Sequence, residues 1–131
     1  MNTQLIGLEA ANKMLPLLKS IVKDVMRLWN SILEQRKIFE EAEAKGEDTE
    51  DMKSSLNNLI DTINQYIKEV ESLGCFIEEF KRGIVNIPSL CHGRKIFLTV
   101  KPMAETKVEF WHELDETHAD KQPVGDLNIL E

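Results

Sequence analysis

Two long segments with a helical repeat of apolar residues, 16–44 and 49–73, constrain the fold of this 131-residue chain most strongly. In each segment, apolar side chains follow one another at alternating spacings of three and four residues, the spacing of a coiled-coil seam. The seam positions are Leu18, Ile21, Val25, Leu28, Ile32, Gln35 and Phe39 in the first segment and Met52, Leu56, Leu59, Ile63, Tyr66, Val70 and Leu73 in the second. We therefore expect a long antiparallel helical hairpin that resembles a coiled coil, closed by a charged loop at 43–48.

A second apolar stripe runs beside the seam, and one antiparallel partner cannot cover both. Its members are Val22, Met26, Trp29 and Leu33 in the first helix, with Ile60 and Ile67 in the second. Either the C-terminal strands cover this stripe, or a second copy of the hairpin covers it in a dimeric four-helix bundle. A monomer of this size has few other residues that could cover the stripe. The pattern therefore favours a homodimer formed through the hairpin.

Pro16 separates the hairpin from a short segment, 7–15, that also has one apolar face. Proline has no amide hydrogen and is well placed at the first position of a helix. We therefore predict a short helix over 7–15, joined by a bend to a long helix that begins at Pro16.

After Gly74, a residue suited to ending a helix, the apolar pattern changes from helical to alternating. Four alternating stretches, at 75–80, 83–87, 94–101 and 107–113, predict short strands with glycine- or proline-containing turns between them. The chain is thus predicted to be one α+β domain over 1–131, with a small antiparallel sheet at 75–113 packed on the hairpin and a tail at 114–131. Phe97 and Trp111 are expected on the outer face of the sheet.

Charge and composition exclude several classes of partner. The net charge is −7 and no run of Lys or Arg exceeds two residues, which argues against nucleic acid binding. No stretch approaches the roughly 20 apolar residues of a membrane span, and the first residues lack a signal-peptide pattern. We therefore expect a cytoplasmic protein in which Cys75 and Cys91, which form no CxxC pair, are buried thiols.

The densest group of chemically active residues is the segment 111–120. His112, Glu116 and His118 are residue types that bind a divalent metal such as zinc or iron. The helical HExxH motif is absent, because Glu116 stands where the second histidine would be. His112 is either a hydrogen-bonded core residue or part of a pocket, and Arg94 pairs either with Glu109 or Glu113 or with an anionic ligand.

Several local signals, taken in order, resemble the family of uncharacterised bacterial and archaeal proteins called domain of unknown function 2203. They are Leu8-Glu9-Ala10-Ala11-Asn12, Leu15-Pro16, Leu73-Gly74, Gly83-Ile84-Val85-Asn86-Ile87-Pro88, Gly93-Arg94, Trp111-His112-Glu113 and Pro123. The resemblance implies the same fold and directs attention to a ligand-binding group of Arg94, Trp111, His112 and Glu113. It brings no established activity.

The chain departs from this family pattern at a few positions. The family usually has Thr at Gly7, Asp-Phe at Asn86-Ile87, Cys-Trp at Thr99-Val100, Gly near Thr117 and Arg near Lys121. If the Asp, Cys and Arg of the relatives serve a ligand, that ligand is lost or altered in this chain.

Two functional hypotheses follow from the sequence. The first is a dimeric structural or protein-interaction module. The alternative is a metal- or small-molecule-binding protein, or an enzyme, with its site around His112 at the end of the sheet. The two differ in whether His112 faces a closed core or an open cavity.

Overall fold

A computed structural model describes residues 5–125 and has an α+β fold, as predicted. Two long helices, α1 (Leu8–Ala44) and α2 (Glu50–Ser72), pack against each other and precede a five-stranded antiparallel sheet. The strands follow chain order across the sheet and are β1 (Phe76–Glu79), β2 (Ile84–Cys91), β3 (Arg94–Val100), β4 (Phe110–His112) and β5 (Gln122–Pro123). Neither helix in this part of the chain is long and apolar enough to cross a bilayer.

The predicted break at Pro16 is wrong, because α1 runs without interruption from Leu8 to Ala44 with Pro16 inside it. A proline in a helix interior costs about 3 kcal/mol. The apolar residues on both sides of it, Ala11, Leu15, Leu18 and Val22, are buried in one core. Burial of each large side chain contributes about 1.5–3 kcal/mol, so packing of the shared face outweighs the proline.

The half of the hairpin beside the sheet is more deeply buried than the half that contains the loop. The seam residues of α1 from Leu18 to Ile32 are buried, as are Ile63 and Val70 of α2. Within 33–62, however, Ala42 and Thr49 are the buried residues, and Gln35 at a seam position is exposed. We call residues 33–62 the hairpin arm. Among residues 5–125, it consists of two helices without a third layer.

The strands cover most of the second apolar stripe of α1. Val22 is buried, and the turn between β1 and β2 lies on Met26 and Trp29. The rings of Trp29 and Phe80 stack with their centroids 5.1 Å apart. Leu33, the last residue of the stripe, stays 41% exposed. Of the two alternatives for covering the stripe, the strands therefore account for its α1 residues except Leu33, and they leave Ile60 of α2 39% exposed.

The sheet differs from its prediction at Pro88, at β4 and at its far edge. β2 continues through Pro88, which was assigned to a turn. In an antiparallel strand, the backbone nitrogen and carbonyl oxygen of one residue point toward the same neighbouring strand. The Pro88 carbonyl points away from β3 and accepts a hydrogen bond from the Ile6 amide. The missing N–H of Pro88 therefore removes no bond to β3. β4 covers only 110–112 of the predicted 107–113, and β5 lies in the predicted tail, preceded by a short 3₁₀ helix, His118–Asp120.

The two faces of the sheet have different chemistry. The face that packs on the hairpin is apolar and contributes Val85, Ile87, Ile96, Leu98, Val100 and Trp111 to the core. Trp111 was predicted on the outer face with Phe97, but it pairs with Leu98 and is buried against the hairpin. Phe97 pairs with His112 on the opposite face. This outer face also carries Asn86 and Thr99, which pair with each other and are buried.

Candidate functional site

Five polar side chains meet on the outer face of the sheet, and we call them the buried polar cluster. Its members are Glu78 of β1, Asn86 of β2, Thr99 of β3, His112 of β4 and His118 of the 3₁₀ helix. Four of the five are buried, and the Glu78 side chain is 19% exposed. A polar group buried without partners is costly, so the hydrogen bonds within the cluster decide whether it is stable.

The Glu78 carboxylate is the centre of this cluster. It accepts hydrogen bonds from the Asn86 side-chain amide at 2.9 Å and from the backbone amide of His118 at 3.0 Å. The Nε2 atom of His112 lies 3.3 Å from the same carboxylate. Glu78 thus joins three elements of the fold and ties the segment that follows β4 to the sheet.

The hydrogen bonds of His112 occupy both nitrogens of its ring. Nδ1 lies 2.7 Å from the carbonyl oxygen of Glu113, so this nitrogen must donate. Nε2 lies 3.2 Å from Asn86 Oδ1 and 3.3 Å from the Glu78 carboxylate. His112 is also fully buried, and its ring makes an edge-to-face contact with Phe97. Both ring nitrogens are therefore satisfied within the protein.

His118 lies in the same cluster but has a different electrostatic environment. Its Nδ1 atom is 2.9 Å from the Thr99 hydroxyl oxygen, and the residue is 4% exposed. Burial, followed by the nearby charges of Lys121 and Lys101, lowers the pKa of His118 from 6.5 to about 4, although Glu78 opposes the shift. His118 is therefore neutral at pH 7.

The low pKa of His118 predicts a loss of stability in acid. The unfolded chain takes up this proton near pH 6.5 and the folded protein only near pH 4, so the free energy of unfolding falls across this window. The loss reaches at most about 3 kcal/mol, since one pKa unit corresponds to about 1.4 kcal/mol. Urea titrations from pH 7 to pH 4 should show a flatter pH dependence for His118→Gln than for the wild type. His92→Gln, at an exposed turn position, is the matched control and should keep the wild-type slope.

The predicted ligand-binding group is divided between the two faces of the sheet. Arg94, Trp111 and Glu113 come together on the hairpin side: Arg94 donates to Glu113 at 2.7 Å, and its guanidinium lies 5.8 Å from the centre of the Trp111 ring. Of the predicted alternatives for Arg94, the structure has the ion pair with Glu113. His112 points to the opposite face, because neighbouring residues of a strand alternate.

Of the predicted metal-binding residues, His112 and His118 lie in one cluster and Glu116 does not. The Glu116 carboxylate accepts a hydrogen bond from the Glu113 backbone amide at 3.0 Å, whereas His112 and His118 belong to the buried polar cluster. Within 5–125, no three His, Cys, Asp or Glu side chains are placed to hold a metal. Cys75 and Cys91 are free and buried, as predicted. Burial raises the pKa of the Cys75 thiol to about 12, which leaves it protonated and unreactive at neutral pH.

A groove of about 510 Å³ lies between the two helices, and we call it the hairpin groove. It extends from the stacked pair of Trp29 and Phe80 into the hairpin arm. Its lining residues are Trp29, Ile32, Arg36, Phe39, Glu40, Leu56, Ile60, Ile63, Asn64, Ile67 and Phe80. Arg36 and Glu40, one helical turn apart, are the charged members of this set and form an ion pair of 3.3 Å. Both extra-stripe residues of α2, Ile60 and Ile67, line the groove.

Sequence reasoning identified His112 and His118 but missed the three residues that surround them. Glu78, Asn86 and Thr99 all fell within predicted strands, but none of them was assigned a contact. The departures from the family pattern at Asn86 and Thr99 were the available signal, since both positions fall in the buried polar cluster. The extra stripe at Ile60 and Ile67 predicted uncovered apolar surface on the hairpin, but it did not predict a groove.

Comparison with known proteins gives one match. A family model described as "Uncharacterized conserved protein (DUF2203)" matches residues 5–124. No curated protein and no solved structure matches the chain.

Proposed function

The chain belongs to the DUF2203 family of uncharacterized conserved proteins, and we propose that it is a protein-interaction module that forms a homodimer through its helical hairpin. The observation that carries this proposal is the hairpin groove, an apolar channel along an arm on which no third layer packs in the described part of the chain. The burial of His112 also favours it, because both ring nitrogens are already hydrogen-bonded and the side chain is closed to solvent.

The hairpin arm has more apolar surface than its two helices bury. Phe39, Leu56 and Leu59 are only half-buried although they face the opposite helix, and Ile60 is 39% exposed. Two more helices placed against the groove would complete a four-helix bundle, in which such side chains form the core. Apolar area removed from water contributes about 25 cal/mol per Å², so covering the groove stabilises the associated form.

A second copy of the chain fits the groove better than a partner whose surface carries charges of one sign. A two-fold interface brings the same patch together from both subunits and must therefore complement itself. The groove meets this condition because its charged members, Arg36 and Glu40, have opposite signs. A partner with a strongly acidic or basic surface would oppose one of them.

Light scattering of Ile60→Glu and Ile38→Glu tests the proposal. Both isoleucines are exposed to a similar degree, 39% and 41%, but only Ile60 lines the groove. We expect Ile60→Glu to shift the protein to monomer, because it would bury a charge without a partner. Ile38→Glu should stay dimeric. Equal effects of the two substitutions, or none, would contradict a dimer formed through the groove.

The alternative function, a metal- or small-molecule-binding protein or enzyme with a site around His112, stays a prediction. We propose the cytoplasm as the compartment, a choice supported by two free cysteines that are both buried.

A further inference from the structure

The order of the two charged residues in the hairpin groove favours one orientation of the second copy. We infer that the second copy lies antiparallel across the groove, so that Arg36 of each chain pairs with Glu40 of the other. This inference rests on the proposed homodimer and adds its orientation and the residues that determine it. It uses the order of the two charges along α1.

Arg36 and Glu40 lie on the same side of α1, because residues four apart are neighbours on a helix surface. They are separated by about 6 Å along the axis, at 1.5 Å per residue. A two-fold axis that runs between the two copies, perpendicular to α1 and level with the midpoint of these two residues, turns the direction of the helix around. It therefore places Arg36 of one chain against Glu40 of the other, and the reverse, so two pairs of opposite charge form from one patch.

A parallel arrangement gives the opposite result. When the two-fold axis runs parallel to the hairpin, each residue lies level with the same residue of the other chain. Arg36 then approaches the second Arg36 and Glu40 the second Glu40, and like charges brought together at an interface cost several kcal/mol. Both side chains are about two-thirds exposed in the single chain, at 64% and 63%, and are therefore free to change partners.

This pairing has a role in specificity more than in affinity. Exposed ion pairs contribute little to stability, whereas repulsion between like charges excludes a wrong orientation or partner. The apolar residues of the groove supply the attraction, and Arg36 and Glu40 select the antiparallel form.

Charge reversal tests the orientation. Arg36→Glu leaves two acidic residues on each chain and Glu40→Arg leaves two basic ones, so each variant should raise its own dimer dissociation constant at least about tenfold. An equimolar mixture of the two should form a heterodimer, because every charge then meets its opposite. The double variant Arg36→Glu/Glu40→Arg should recover the wild-type homodimer. Sedimentation velocity measures all four samples, and circular dichroism shows that each is folded.

The outcomes separate the inference from the proposed function. If the wild type is a dimer and each single variant dimerises equally well, or if the mixture shows no heterodimer, the antiparallel pairing is overturned while the homodimer stands. If the wild type itself is a monomer, the homodimer and this inference both fail.

Discussion

Replacement of His112 by alanine is expected to lower the free energy of unfolding by about 3–5 kcal/mol, because it leaves a cavity and removes a hydrogen-bonded ring from the buried polar cluster. The ring is fully buried and its Nε2 atom lies 3.3 Å from the Glu78 carboxylate, so the loss combines the cavity with polar groups left without a partner. Domains of this kind are stable by about 5–15 kcal/mol, so the variant would be close to unfolding. Urea denaturation at pH 7 measures the change.

A double-mutant cycle with Glu78→Gln separates the contact between the two side chains from the cavity. If His112 Nε2 and the Glu78 carboxylate interact across their distance of 3.3 Å, the double variant should lose less stability than the two single variants together, by about 1–3 kcal/mol. Glu79→Gln, on the same strand but with a side chain that is 37% exposed and paired with Arg82, is the matched control and should not couple to His112. Additive effects of His112→Ala and Glu78→Gln would show that the two side chains do not interact.

Replacement of Gly83 by alanine is expected to lower the free energy of unfolding by about 2–4 kcal/mol, through backbone strain and overpacking. Gly83 has φ +64°, a conformation that costs an L-residue about 1–2 kcal/mol. A Cβ atom there would also lie 2.6 Å from Met26 Sδ and 2.8 Å from Val22 Cγ1. The methionine can move, but Val22 is fully buried and stiff at χ1.

Gly93→Ala is the control that isolates the packing contribution. Gly93 has φ +77°, but nothing lies within 4 Å of the position of its Cβ atom. It should therefore lose only the backbone part, about 1–2 kcal/mol. Thermal or urea denaturation of both variants gives the difference. Equal losses would mean that the turn between β1 and β2 does not pack tightly on α1.

The sequence predicted the fold well because its patterns are local. Helical spacing over 18–39 and 52–73 identified both helices, and the change to alternation after Gly74 located the strands. The break at Pro16 was wrong because the helical preference of proline is a local property, whereas burial of Ala11 and Leu15 depends on the whole core. β5 was missed because a two-residue strand that contains proline has no alternating pattern.

The candidate site was harder to predict because its contacts join distant parts of the chain. His112 was identified from its residue type, but its partner Glu78 lies on another strand, and the distance depends on the register of β1 through β4. Trp111 and His112 were grouped because both belong to a motif that carries the family resemblance, although adjacent strand residues point to opposite faces. The hairpin groove depends on which side of the helices the sheet covers, and the helical repeat does not contain that information.

The central claim is that the hairpin joins two copies of the chain, and the mass in solution tests it most directly. Sedimentation equilibrium of the wild type at micromolar concentration should give twice the 15.1 kDa mass of one chain. A mass of 15.1 kDa that does not change with concentration would contradict the account.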